Sequence, residues 1–312
     1  MSNQFKRLTI SEEIQEINAI QQKIDESGAQ WTAGHTSVSR LSPYEKQRMR
    51  GTFIKHPSPD DIIISRPYGV ADDPESFDWR DVDGSNWMTP VRNQGACGSC
   101  WAFSVLGAVE ACINIYNGEP NPDYDLSEQH LVSECCDTGD CGGGYLDGAL
   151  DYIRDYGVPP ESCFPYQAKN SVCTPCDSWE DIAQTIGSYV FVEPTKDSFK
   201  WALQNYGPMS VYLQVPDDWY FYAGGVYEPV LTSTIGAAGH GVVLCGWNDS
   251  DDCWIIKNSW GTGWGESGYG RVKYGNLEKY NYDIAIIVEP CSTPTCSIEI
   301  LKQPCKTVVV SS

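Results

Sequence analysis

The segment CWAFSVLGAVEACINIY, Cys100 to Tyr116, is apolar on almost every face, and a helix of that kind has one place in a folded chain, the inside. It contains Glu110 and is shorter than the roughly 18 uninterrupted apolar residues that mark a membrane span. The chain therefore has to wrap this helix with its own elements. With 312 residues, 41% of them hydrophobic, it has material for one large domain or two smaller ones. Directly before the helix stands GACGSC, which puts Cys97 and Cys100 three residues apart where the helix begins. Such a pair admits four readings: a redox couple, half of a metal site, a cysteine bonded to a distant partner, or a nucleophile beside a structural neighbour.

Fourteen cysteines are too many for a chain kept reduced and too few for a small disulfide scaffold, so the expected compartment is secreted or otherwise oxidising. MSNQFKRLTI carries a basic pair but no apolar stretch behind it, and the expectation is that a native signal peptide has been replaced at Met1. The net charge of −21 is uneven: residues 1–72 hold nine basic and nine acidic side chains, and the rest of the chain holds 12 against 33. That surface repels nucleic acid and anionic membranes, so neither is expected as a partner. Its plain reading is solubility.

From Ile10 the isoleucines Ile10, Ile14, Ile17, Ile20 and Ile24 mark one face of an amphipathic helix, with Thr9 and Glu12 as its capping box and Gly28 as its stop. A short helix follows at Pro43 to Arg50. ISRPYGVADDPE then reads as an exposed linker. Beyond Ser76 further helices are expected near Ser127 to Glu134, Tyr145 to Tyr156 and Asp197 to Tyr206, the last ended by Gly207-Pro208. Strands are expected at Met209 to Val215, His240 to Trp247, Cys253 to Lys257, Tyr269 to Tyr274 and Ile284 to Val288. The fold class is α+β, helical first and strand-rich second, with a cleft between the halves as the natural place for a site. The expected divisions are an accessory region at 1–72, a main domain at 73–290 and a cysteine-containing tail at 291–312.

A thiol attacks as thiolate, and a helix N-terminus favours that form. Cys100 stands there and needs a base. Of the four histidines, His35 and His56 lie in the accessory region and His130 lies in a surface or packed helix. His240 opens an apolar strand in GHGVVLCGW, where its imidazole projects into the cleft or packs in the core. KNSWGTGWG supplies Asn258 to orient that ring and Trp260 to shield their hydrogen bond, and Gln94 offers an amide N–H for a developing oxyanion.

QGACGSCWAF, CGGGY, GHGVVLCGW and KNSWGTGWGESGY together resemble the papain and cathepsin family of cysteine peptidases. His240 and Asn258 follow Cys100 by 140 and 158 residues, close to that family's spacing. The resemblance covers about Ser76 to Glu289. It implies a papain-like two-lobed fold, with a helical left lobe around the long central helix, a barrel-like antiparallel right lobe and a catalytic cleft between them. It also implies Cys100 as nucleophile, His240 as acid and base, Asn258 as orienting amide and Gln94 as oxyanion donor. Gly143 and Gly144 would pair with a substrate strand, Trp260 would wall the leaving-group side, and Tyr145, Leu146, Tyr212 and Ala238 would shape the pocket for the residue second from the cut. Tyr212 is bulky there and would shorten that pocket.

By the same resemblance Cys97 pairs with Cys141, and Cys173 pairs with Cys135 or Cys136, with Cys136 taken as the partner. Cys245 and Cys253 flank a short hairpin, as a facing pair or as two buried thiols. QWTAGHTSVSRLSPYEKQRMRGTF resembles the short propeptide of the cathepsin B branch. It implies a small inhibitory prodomain that crosses the groove in the non-productive direction and is released by cleavage between about Arg66 and Asp73. No His-containing insertion matches the occluding loop of cathepsin B, so the groove is expected open at both ends. The expectation is an endopeptidase acting on proteins or peptides, monomeric, inhibited by its own propeptide, with no cofactor and no metal. The runner-up is a catalytically silent binding protein on the same scaffold, disfavoured because Cys100, His240, Asn258 and Gln94 are all present. A zinc site from Cys97-x-x-Cys100 and Cys173-x-x-Cys176 leaves His240 and Asn258 without a place. A redox pair lacks its strand context. The acidic turns DVDGSN and NDSDD do not match an EF-hand loop.

Overall fold

A computed structural model describes residues 4–53, 55–231, 239–278 and 283–287. The tail at 291–312 lies outside them, as does Ala238. Helix α1 (Ile10–Ser27) starts with the Thr9/Glu12 capping box and ends at Gly28 in the left-handed conformation, φ 74°. Its isoleucine stripe is buried only at the C-terminal end: Ile20 and Ile24 are covered, whereas Ile10 and Ile14 stay exposed. The chain continues through β1 (Gln30–Ala33), α2 (Pro43–Arg48), β2 (Thr52–Phe53), β3 (Ile63–Ile64) and β4 (Ser76–Asp78). Ser42 and Glu45 form a second capping box, with Pro43 at the first turn of α2.

The apolar segment forms α3 (Cys100–Asn117), buried from Cys100 to Asn114. Around it stand α4 (Glu128–Val132), β5 (Gly139–Asp140), β6 (Gly143–Tyr145) and α5 (Leu146–Asp155). The strand-rich half follows: β7 (Ser188–Val192), α6 (Lys196–Tyr206), β8 (Met209–Leu213), β9 (Tyr222–Tyr227), β10 (His240–Asn248), β11 (Cys253–Lys257), β12 (Tyr269–Lys273) and β13 (Asp283–Ile287). Helix α3 packs on β10 and β8, so the two halves meet along its length. At that junction the buried Lys257 ammonium donates to Thr89 Oγ1 at 3.0 Å. Thr89 in turn donates to Glu110 of α3 at 2.5 Å, tying strand half to helical half by buried polar groups.

The large sheet runs β1-β9-β12-β11-β10-β8-β13-β7-β3 with β4 beside β10, and a small sheet runs β2-β6-β5. Three of these strands belong to the first 72 residues, and they differ from the expected picture. β1 pairs antiparallel with β9, β3 pairs parallel with β7, and β2 pairs parallel with β6. The stretch expected as a wholly exposed linker is therefore strand at Ile64. Beyond it, Arg66 pairs with Asp73 and donates to the Ala71 carbonyl at 2.6 Å, closing a loop whose tip, Tyr68, is fully exposed.

Disulfides join Cys97 to Cys141, Cys135 to Cys173 and Cys163 to Cys176. Three such bonds point to an oxidising compartment, secreted or lysosomal. Among the described residues no helix is long and apolar enough to cross a membrane. The partner of Cys173 is Cys135, not Cys136, and a local turn explains the difference. Cys136 points inward, buried, with its thiol 3.0 Å from Thr138 Oγ1. Cys135 faces outward, beside the chain that Glu134 reaches through Ser171 at 3.0 Å. Cys245 and Cys253 are two buried thiols.

Candidate active site

Cys100 is the first residue of α3 and is fully buried. Burial pushes its thiol up. The charge and hydrogen bonding of His240, the Thr52 hydroxyl and the Gly241 N–H more than reverse this, leaving the thiol at about 7. The start of a helix adds favourable potential of the same sign. His240 opens β10, and its Nε2 lies 2.7 Å from Asn258 Oδ1. An amide oxygen only accepts, so Nε2 carries the proton, and Nδ1, buried without an aligned partner, is the ring nitrogen left for the thiol. Asn258 Oδ1 also accepts the Ser259 N–H at 2.8 Å, which fixes the amide. The Trp260 ring covers the imidazole at 4.7 Å and stacks on Tyr220 at 4.9 Å, 5° from parallel.

Gln94 is held from behind. Its Oε1 accepts from Ser259 Oγ at 2.7 Å and from Trp260 Nε1 at 3.1 Å. That leaves Nε2 to donate into the groove, to the Met49 carbonyl at 3.0 Å and the Cys97 carbonyl at 2.8 Å. The disulfide from Cys97 to Cys141 ties this loop to the strand that leads into Gly143 and Gly144.

The N-terminal segment fills the space above these groups. Gly51 N–H points at Cys100 Sγ from 3.2 Å, and Thr52 Oγ1 lies 3.1 Å from the same sulfur. Gly144 N–H donates to Gly51 O at 2.8 Å, and Thr52 exchanges two 3.1 Å bonds with Gly239 on the opposite wall. The Phe53 ring rests on Tyr145 at 5.4 Å. Only glycine fits at 51, because a Cβ there would stand 1.9 Å from the Gly98 carbonyl oxygen. Tyr212 is buried against Gly239, where a Cβ would stand 1.8 Å from its ring, and Leu146 is buried at the start of α5.

Cys100, His240, Asn258, Gln94 and Trp260 thus converge with Gly143 and Gly144 on one crossing segment. His130 is a packing residue: its Nε2 meets the Tyr152 hydroxyl at 2.9 Å, and burial pushes it down to about 4. Three participants were not foreseen. Ser259 orients Gln94, Thr52 touches the thiol, and Tyr220 extends the aromatic wall beyond Trp260. Only Ser259 had a usable signal, its place between Asn258 and Trp260.

A family model described as "Papain family cysteine protease" matches residues 73–289. "Cysteine proteinase A" of Leishmania mexicana is 34% identical over 239 residues, 74% of this chain, and the match spans 63% of that protein's length. "Cathepsin S" of Mus musculus is 34% identical over 73% of this chain and 67% of its own. Digestive procathepsin L2 from the Tenebrio molitor larval midgut superposes with a TM-score of 0.77 at 27% identity, covering 89% of this chain and 90% of that one. The neighbour is a proenzyme, and its match extends well beyond residues 73–289. The convergent thiol and imidazole, the two-lobed fold and the family match lead to one assignment: the chain belongs to the papain family of cysteine proteases.

Proposed function

We propose that the chain is the zymogen of a cysteine endopeptidase in which Cys100, His240, Asn258 and Gln94 do the chemistry and residues 1–72 are the inhibitory prodomain. The observation that carries this is the Cys100 thiol brought to about 7 beside an imidazole whose far nitrogen is bound to Asn258. In the reaction His240 takes the thiol proton and Sγ adds to the scissile carbonyl. The oxyanion is met by Gln94 Nε2 and the Cys100 N–H. His240 returns the proton to the leaving amine, and the C–N bond breaks to give a thioester. Water, deprotonated by the same imidazole, then releases the acid and restores the thiol. Asn258 keeps the ring turned throughout, and Trp260 keeps solvent from that bond.

Inhibition follows from chain direction. A substrate would pair with Gly144 so that a carbonyl carbon lies over Sγ. The prodomain runs parallel to β6 and presents the Gly51 N–H to the sulfur instead, with the Met49 carbonyl already on Gln94. Removal by a cut in the Arg66 to Asp73 loop is supported by the exposure of Tyr68. The substrates are proteins or peptides, and the mature enzyme acts as a monomer in a secreted or lysosomal compartment.

The test is timed incubation across a pH series with intact-mass readout, for wild type and Cys100→Ser. Wild type is expected to lose residues up to the Arg66–Asp73 loop and then hydrolyse a peptide–coumarin substrate, while Cys100→Ser does neither. Processing at equal rate in Cys100→Ser, or no turnover by wild type freed of its prodomain, would sink the proposal.

A further inference from the structure

On the leaving-group side of the thiol the groove continues past Trp260 to Tyr220, and the prodomain places two cations there. Arg50 is 5% exposed, donates through Nη1 to the Val215 carbonyl at 3.1 Å and lies over the Tyr220 ring at 5.9 Å. Its Nη2 is buried with no partner. Lys46 stands over Phe221 at 4.5 Å and over Tyr220 at 5.1 Å, within the field of Asp217 and, from its own segment, of Glu16 and Glu13. The Val215 carbonyl, the two ring faces and the Asp217 carboxylate belong to the main domain and stay when the prodomain leaves, whereas Glu13 and Glu16 go with it. Arg50 also adjoins Gly51, the residue over the thiol.

Burying a guanidinium without a carboxylate is unfavourable unless the site is built to receive it. Here a carbonyl lone pair and an aromatic face do so, neither of which depends on the direction of the chain carrying the cation. We propose that the active enzyme has a cation-accepting subsite, formed by Val215, Asp217, Tyr220 and Phe221, that takes an arginine or lysine side chain from the first two residues after the cut. It rests on the protease reading and narrows the substrate class to basic sequences on the leaving-group side. The charge distribution agrees, since all of the −21 lies beyond residue 72, in the part that remains. The prodomain occupies the subsite with a side chain of the same chemistry as the substrate's while its backbone runs the other way.

The experiment uses the enzyme freed of its prodomain and internally quenched peptides with one sequence before the cut. They differ only in the first or second residue after it, carrying Arg, Leu or Glu. A coumarin substrate with nothing after the cut is run beside them. In wild type, kcat/KM with Arg is expected to exceed that with Leu by about fivefold or more at one of the two positions, the size of a partly desolvated cation–π contact, with Glu slowest. Tyr220→Leu should bring the Arg-to-Leu ratio to within about twofold of unity. The ratio is taken within each variant, so a general loss of activity does not mimic the result. Ratios near one at both positions in wild type, or a preference that survives unchanged in Tyr220→Leu, overturn the subsite; if that variant does not fold, the wild-type ratios decide alone. No turnover of the coumarin substrate counts instead against the protease reading.

Discussion

Trp31 is the largest buried side chain of the prodomain among the described residues, and replacing it with alanine should loosen the whole segment. The indole is 3% exposed, its ring lies 5.1 Å from Tyr227 and 6.2 Å from Tyr222, and its Nε1 donates to the Glu228 carbonyl at 2.9 Å. Truncation removes roughly 200 Å² of buried apolar surface, worth about 5 kcal/mol at 25 cal/mol per Å². That figure is an upper bound, because an undocked segment still buries part of the ring. Large-to-small changes of this kind usually fall at about 3–4 kcal/mol, and at roughly 1.4 kcal/mol per decade the open population should rise about 10²- to 10³-fold. The readout is alkylation of Cys100 in the uncut zymogen, followed by peptide mapping. Cys100 is fully buried, so it reacts only when the segment over it lifts. With reclosing faster than alkylation, the rate follows the open population. A rise of less than about fivefold in a folded variant would refute the reasoning, because it would mean that residues 49–53 lift by themselves while α1 and β1 stay docked.

Two further outcomes are expected. In Gly51→Ala the added methyl would stand 1.9 Å from the Gly98 carbonyl oxygen, so the crossing strand has to move off the thiol. At about 1–3 kcal/mol for such overpacking, the uncut variant should hydrolyse a peptide–coumarin substrate at least ~5-fold faster than the uncut wild type; equal rates would show that the contact at Gly51 does not close the site. Burial pushes the Glu161 carboxyl up to about 7, and the Tyr166 N–H opposes this only in part. A carboxyl raised in the fold favours the protonated native state, so the chain loses stability as pH climbs from about 4.5 to 7, and the loss is complete above that. Glu161→Gln should therefore raise stability by about 1 kcal/mol at pH 8, after allowance for solvent screening, and leave it unchanged at pH 4. Denaturant midpoints at the two pH values check this, and an equal gain at both would contradict the assignment.

Features fixed by neighbours in sequence were legible before the structure. Thr9, Glu12 and Gly28 bound α1 because capping is local, and α3 was plain because its composition allows only burial. Asn258 beside Trp260 and Cys100 at a helix start carried their chemistry in short motifs. Pairings between distant segments were not legible. β1 finds β9 across some two hundred residues, and YAGGVY, with glycines in its middle, has no strand period; Gly225 is small because Trp31 of β1 crosses it, where a Cβ would stand 2.6 Å from the Trp31 Cα. The choice between Cys135 and Cys136 depends on which side of a turn faces Ser171, a tertiary fact. Arg50 reads in sequence as one more basic residue at a helix end, and only its burial against Val215 and Tyr220 gives it meaning.

The three strands that the prodomain lends to the main domain have a consequence for how it departs. β1 closes one end of the large sheet, β3 closes the other, and β2 joins the small sheet over the thiol. The prodomain is therefore a trivalent ligand on a single cord. Each attachment holds the other two at high effective concentration, so the set binds far more tightly than any one part. A cut in the Arg66–Asp73 loop severs none of these links from the others, so on the proposed reading a segment cut only there is expected to leave more slowly than one cut again within its own length. A cut between Phe53 and Ile63 separates β2 from β3, and a cut between Ala33 and Pro43 separates β1 from β2. Each such cut lowers the valency, and the shortened pieces are expected to dissociate more readily than the whole segment.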